Sequence, residues 1–110
     1  MAKKEKKTNS DIPEPPPIDK LIHEPARLII LANLYVIEEA DFIFLKNRTE
    51  MTWGNLSSHL SKLEDAGYVI VKKEISGKKT KTRISLTDKG RRAFRDYRQK
   101  MDDFLKSLPV

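Results

Sequence analysis

The stretch Thr52 to Gly67, TWGNLSSHLSKLEDAG, marks both ends and one face of a helix. A threonine hydroxyl accepts one of the N–H groups left unpaired in a first helical turn, so Thr52 is read as an N-cap. Gly67 comes after the last turn, where positive φ costs glycine nothing, and is read as the stop. Leu56, Leu60 and Leu63 lie at i, i+4 and i+7 and make one narrow apolar stripe. The opposite face carries Gly54, Asn55, Ser58, Ser61 and Lys62, all short or flexible. A thin anchoring stripe under an uncrowded polar face describes a helix able to enter a groove, and a DNA-recognition helix is expected here.

The segment beyond Gly67 strengthens that expectation. Residues 72–100 carry twelve Lys or Arg and three acids, a local charge of +9 in a chain whose net charge is +6, so the remainder sums to −3. Positive charge concentrated beside the helix points to a polyanionic partner. The chain has 110 residues, one domain by size, and no cysteine, which excludes disulfides and thiolate metal sites and fits a reducing compartment. No uncharged run is long enough to span a membrane, and the lysines at the N-terminus precede no apolar signal segment. A cytoplasmic protein without membrane contact is expected.

Residues 1–17 read as a disordered, basic and Pro-rich arm. The DNA-binding domain proper is expected over 18–87. Pro25 suits a first helical turn, and the helix behind it is apolar nearly all round. Leu28, Ile29, Leu31, Ala32, Tyr35 and Val36 form its broad stripe, widened by Ile30, Leu34 and Ile37, so two sides need covering: one by the core, one by a second subunit. Asp41 caps a short helix holding Phe42, Ile43, Phe44 and Leu45, and Met51 is the apolar residue of the turn before Thr52. After Gly67 the period changes to two. Tyr68 to about Ile75 and Thr80 to Leu86 read as strands joined at Ser76-Gly77-Lys78-Lys79, a hairpin with a cationic tip and outer face. Thr87 or Asp88 caps a last helix, with 88–110 expected as a dimerisation segment. Its Phe94, Tyr97, Met101, Phe104 and Leu108 are spaced 3, 4, 3 and 4, a short coiled-coil seam. A helix of about 20 residues runs about 30 Å, longer than a small core covers. The expected interface is Leu28, Tyr35, Phe94, Tyr97, Met101, Phe104 and Leu108. The fold class is mainly α with a β-hairpin wing (α+β), a winged helix-turn-helix with a long C-terminal dimerisation helix.

Two pieces, GNLSSHLSKLEDAGYV and RISLTDKGRRAF, together with the upstream DFIFLK and EPARLIILANL, resemble the small winged-helix regulators of the MarR/ArsR-like group. The likeness covers roughly residues 19–105. It implies a homodimeric transcriptional regulator that binds duplex DNA at a two-fold site, with recognition-helix contacts at Trp53, Gly54, Asn55, Ser58 and Lys62 and wing contacts at Lys78, Lys79, Lys81 and Arg83. Two departures stand out: Ser58 replaces a longer basic side chain, and Lys46 to Glu50 is more polar than the usual turn.

The residue chemistry agrees with these positions. Asn55 suits a bidentate contact to adenine, Ser58 and Ser61 donate or accept, and Lys62 suits phosphate. Lys78 and Lys79 at the tip suit sequence-independent phosphate contacts. Arg83 is expected to reach the minor groove or its phosphates, so Arg83→Ala should weaken DNA binding several-fold. Arg91, Arg92, Arg95 and Arg98 read as solvated charge. His59 lies off the apolar stripe and reads as a packing or hydrogen-bonding residue. His23-Glu24 alone makes a poor metal site. No phosphate loop, nucleophile elbow or metal-ligand spacing appears, so no catalysis, metal or cofactor is expected. A small-molecule effector between the first and last helices is conceivable, with no ligand named. The competing readings are a winged-helix protein–protein interaction module, a non-specific DNA-coating protein and an RNA binder; against the last, the strands offer no aromatic stacking platform.

Overall fold

The computed structural model describes residues 12–109. Most of the N-terminal arm, residues 1–11, lies outside them, and residues 13–19 carry no regular structure. The elements are α1 (Pro25–Ile37), β1 (Glu39–Asp41), α2 (Phe42–Thr49), α3 (Trp53–Asp65), β2 (Val69–Ser76), β3 (Lys79–Leu86) and α4 (Asp88–Lys106). They form a winged helix: helices against a three-stranded antiparallel sheet in the order β1-β3-β2.

The helix starts are capped by side chains. Glu24 accepts from the Arg27 N–H, Asp41 from Phe44, Thr52 from Asn55 and Thr87 from Gly90. Each satisfies a first-turn donor that would otherwise need water. Gly67 takes φ 81° at the end of α3, as its position required. Leu56, Leu60 and Leu63 are buried and seat α3 on Ile22, Ile30, Leu31, Leu34, Leu45, Val69 and Ile84.

Three features differ from expectation. The strand β1 was not foreseen. Its three residues are neither β-branched nor aromatic, and it exists only because it pairs with β3, Ala40 opposite Ile84 and Asp41 opposite Arg83. Glu38, at φ 66°, turns the chain into it, and its carbonyl accepts the Leu86 N–H at 3.1 Å. Second, α1 buries Ile30, Leu31 and Leu34, while Ile29 and Val36 of the expected stripe are exposed. On a helix apolar nearly all round, periodicity cannot select a face; the packing of α2, α3, α4 and the sheet does. Third, Tyr97 does not belong to a free seam. It is 6% exposed, packs in its own core, and its hydroxyl meets His23 Nδ1 at 2.7 Å. Leu28, Phe94 and Met101 also pack against that core, with the Phe94 ring 5.2 Å from Tyr35. The first half of α4 therefore closes its own domain.

The lead into α1 and the first turn of α1 together hold three other parts of the domain. Asp19 accepts from the Tyr68 hydroxyl after α3, and His23 meets Tyr97 of α4. Arg27 Nη1 lies 3.1 Å from Nδ1 of His59 on α3. A guanidinium only donates, so Nδ1 is the acceptor and the ring proton of a neutral His59 sits on Nε2. Arg27 Nε also donates to the Leu21 carbonyl at 2.6 Å.

Candidate nucleic-acid interface

Around the axis of α3, the side opposite the leucine stripe presents Gly54, Ser58, Ser61 and Lys62, all exposed, with Asn55 beside them. A Cβ built on Gly54 would meet nothing within 4 Å, so this edge is open space. The polar outer face extends to Asp65 in the last turn, next to Glu64. Acidic residues at that end leave the N-terminal half of α3 as the part suited to an anionic groove.

Trp53 opens the helix. Its indole is 57% exposed yet ordered by contact: it stacks on Phe42 at 5.1 Å with the planes 7° apart, and Lys46 Nζ lies 5.3 Å from the ring. Both partners come from α2, one turn apart, so α2 fixes how Trp53 is presented. Neither was expected in this role, although Phe42 and Lys46 share a helical face.

The wing divides its residues by parity. Val71, Lys73, Thr80 and Thr82 face α3, whereas Ile70, Lys72, Glu74, Arg83 and Ser85 lie on the outer face, as period two dictates. Lys78, Lys79 and Lys81 form the exposed tip. Arg83 is engaged: its Nε donates to Glu74 at 2.8 Å and its Nη1 lies 3.5 Å from Glu39. The Glu74 hydrogen bond, then the two carboxylate charges, hold its pKa above the ordinary arginine value. On the last helix, Arg91 lies over the Tyr35 ring at 4.8 Å and Arg95 Nε donates to the Tyr35 hydroxyl at 3.4 Å. That hydrogen bond, with the nearby guanidinium charges, lowers the Tyr35 pKa. Tyr35, Phe94 and Arg91 thus meet where α1 faces α4. His59 is a hydrogen-bonding residue, partnered by Arg27, with the Glu24 carboxylate nearby at 3.9 Å. The Glu24 carboxyl is held below its usual value, chiefly by the Arg27 N–H it accepts.

A groove of about 790 Å3 runs between α3 and the inner face of the hairpin. It places Trp53, Ser57 and Ser61 opposite Lys73, Thr80 and Thr82, with Lys79 and Lys81 at its rim near the tip. Ser57, Lys73, Thr80 and Thr82 were not among the expected contacts; the alternation of Val71 with Lys73 is the signal that places Lys73 on this face. Among the described residues, no three His, Asp or Glu side chains gather as metal ligands do, and no helix is long and apolar enough to cross a membrane.

A family profile for the winged helix DNA-binding domain matches residues 26–105, spanning every element from α1 to α4. The chain belongs to this family. A relative, the uncharacterized protein MJ0432 of Methanocaldococcus jannaschii, is 44% identical over 78 residues, 71% of this chain and 85% of that one. Among solved structures, a transcriptional regulator homologue from Pyrococcus horikoshii superposes with TM-score 0.79 at 26% identity, covering 84% of this chain and 91% of that one. A MarR-like transcriptional regulator from Thermotoga maritima shares the winged-helix fold at TM-score 0.61 and 20% identity, covering 90% and 68%. The chain thus carries the winged helix DNA-binding domain, and its structure is similar to that of a transcriptional regulator homologue.

Proposed function

We propose that the chain is a homodimeric, sequence-specific regulator of transcription that binds duplex DNA, with the N-terminal half of α3 in the major groove and the wing on the adjacent backbone and minor groove. One observation carries the reading: the exposed face of α3 is Gly54, Asn55 and Ser58, open and polar, on a helix that opens with the ordered Trp53 and faces a hairpin with a lysine-rich tip. A protein-docking helix would expose large apolar side chains there, and this face has none beyond Trp53. Asn55 and Ser58 are the base readers in this reading, Lys62, Lys78, Lys79 and Lys81 meet phosphates, and Trp53 meets sugar or a thymine methyl. Arg83, held by two carboxylates, keeps the three strands of the wing together.

Dimerisation uses what the domain leaves uncovered. Val36 is 79% exposed, Ile29 and Ile37 are exposed beside it on α1, and Leu105 is exposed near the end of α4. Phe104 and Leu108, half-buried, extend that end. In this reading a second copy covers these residues. The test is selection of bound fragments from random duplex DNA. An inverted repeat with half-sites about one helical turn apart is expected. Binding without an enriched sequence would leave a non-specific DNA-coating protein, and no binding at low salt would leave a protein-docking module.

A further inference from the structure

We infer that Arg27 and His59 are positioning residues for sequence recognition: the pair fixes the rotation of α3 about its own axis and, through it, the aim of Asn55. The inference rests on the DNA-binding reading above and adds to it two residues that do not themselves touch DNA. The leucines alone leave this rotation loosely set. Leu56, Leu60 and Leu63 are buried but form a single narrow stripe, and hydrophobic burial is non-directional. Hydrogen bonds are directional, and α3 has one on each flank of the stripe. At about 3.6 residues per turn, Trp53, Ser57 and Glu64 fall on the flank toward the hairpin, and Asn55, His59 and Lys62 on the other. On the hairpin flank the Glu64 carboxylate accepts the Val71 N–H at 3.2 Å. On the far flank the Arg27 guanidinium donates to His59 Nδ1 at 3.1 Å.

The far contact is held from behind. Arg27 Nε donates to the Leu21 carbonyl at 2.6 Å, and the Arg27 N–H donates to the Glu24 carboxylate at 2.9 Å, so both its side chain and its backbone are fixed before it reaches α3. The half-buried His59 stands four residues, one helical turn, beyond Asn55. A roll of about 10° moves a side-chain tip about 6 Å from the helix axis by about 1 Å. Recognition geometry tolerates about 0.5 Å. A two-bonded contact from Asn55 to adenine is the kind that such a roll breaks. A lysine meets phosphate as a point charge on a flexible stem and follows the same displacement. The pair therefore acts on discrimination between sequences more than on general affinity.

Replacements that keep or remove the acceptor provide the test. His59→Asn puts an amide oxygen where Nδ1 stood, whereas His59→Leu removes the acceptor. Each full-chain variant is first shown to be folded by urea unfolding. Specificity is then the ratio of affinities for the duplex selected with the unmodified chain and for a mixed-sequence duplex, followed by anisotropy from about 50 to 200 mM salt. His59→Leu and Arg27→Met are each expected to lower that ratio about 5- to 20-fold, with mixed-sequence affinity and salt slope unchanged. The double variant is expected to be no worse than either, because both remove one contact. His59→Asn is expected to stay within about twofold of the unmodified chain. Should His59→Leu fail to fold, Arg27→Met carries the same expectation. An unchanged ratio, equal losses in the Asn and Leu variants, or a loss on both duplexes alike would overturn the inference while leaving DNA recognition intact. An unmodified chain that prefers no sequence would overturn base reading and this inference together.

Discussion

Gly90, in the first turn of α4, lies against the backbone of Tyr68 so closely that a side chain has no place there. A Cβ would stand 2.9 Å from the Tyr68 carbonyl carbon, closer still to its oxygen, and 3.0 Å from Leu86 Cδ1. The approach is locked by Thr87, whose N–H donates to the Tyr68 carbonyl at 3.0 Å and whose hydroxyl donates to the Gly67 carbonyl at 2.6 Å while accepting from the Gly90 N–H. Gly90→Ala must therefore part α4 from the end of α3. A destabilisation of about 2–3 kcal/mol is expected in urea unfolding. A change within about 0.5 kcal/mol would show that this corner yields freely.

Tyr68 supplies a pH prediction. Burial, and then the hydrogen bond its hydroxyl gives to Asp19, push its pKa up to about 12. The folded value exceeds the ordinary one near 10, so the folded state favours the neutral phenol. Its contribution to stability is complete below about pH 10 and is lost as pH rises through about 12. Ultraviolet titration of tyrosinate should show Tyr35 ionising before Tyr68. Tyr68→Phe should flatten the alkaline fall in unfolding midpoint; an unchanged fall would place its cause elsewhere.

Arg83 and the tip lysines separate two roles of the wing. Arg83 is held in the sheet by Glu74 and Glu39, whereas Lys79 and Lys81, of the same parity on β3, stand at the exposed tip on the rim of the groove. Arg83→Ala is expected to change DNA affinity by less than about twofold and to lower the thermal midpoint slightly. The double replacement Lys79→Ala, Lys81→Ala is expected to cost affinity severalfold with a flatter salt dependence and no change in midpoint. A larger loss of affinity in Arg83→Ala than in the double variant would return Arg83 to the DNA surface.

The exposed apolar residues of α1 and α4 set the expectation for assembly. Light scattering at micromolar concentration should give twice the chain mass of 12.7 kDa. Val36→Glu with Leu105→Glu should give a folded monomer, because both side chains lie outside the domain's own core. A monomeric unmodified protein would remove the dimer and the two-fold DNA site with it.

The features legible in the sequence are those set by neighbours along the chain. Asp41, Thr52 and Thr87 cap helices because a cap needs only the next three residues. Leu56, Leu60 and Leu63 seat α3 because a narrow stripe has one possible core side. The hairpin followed from its change of period. The features that stayed hidden depend on distant partners. The three residues of β1 become a strand only opposite β3. The buried side of α1 is chosen by whatever packs on it. Tyr97 kept a heptad spacing that serves intramolecular and intermolecular packing equally, and the contact of its hydroxyl with His23 decides for the former. At the candidate site, the exposed polar face of α3 was legible from its short side chains, but the pairing of Arg83 with Glu74 and Glu39 required strand register.

The short lead into α1 has a mechanical consequence. His23 and Arg27 are four residues apart, and each holds a different helix, the first α4 through Tyr97 and the second α3 through His59. Two pins so close together, one in the lead and one in the first turn of α1, suppress independent pivoting. A tilt imposed on the C-terminal helix reaches the groove-facing helix through these pins, or it breaks one of them.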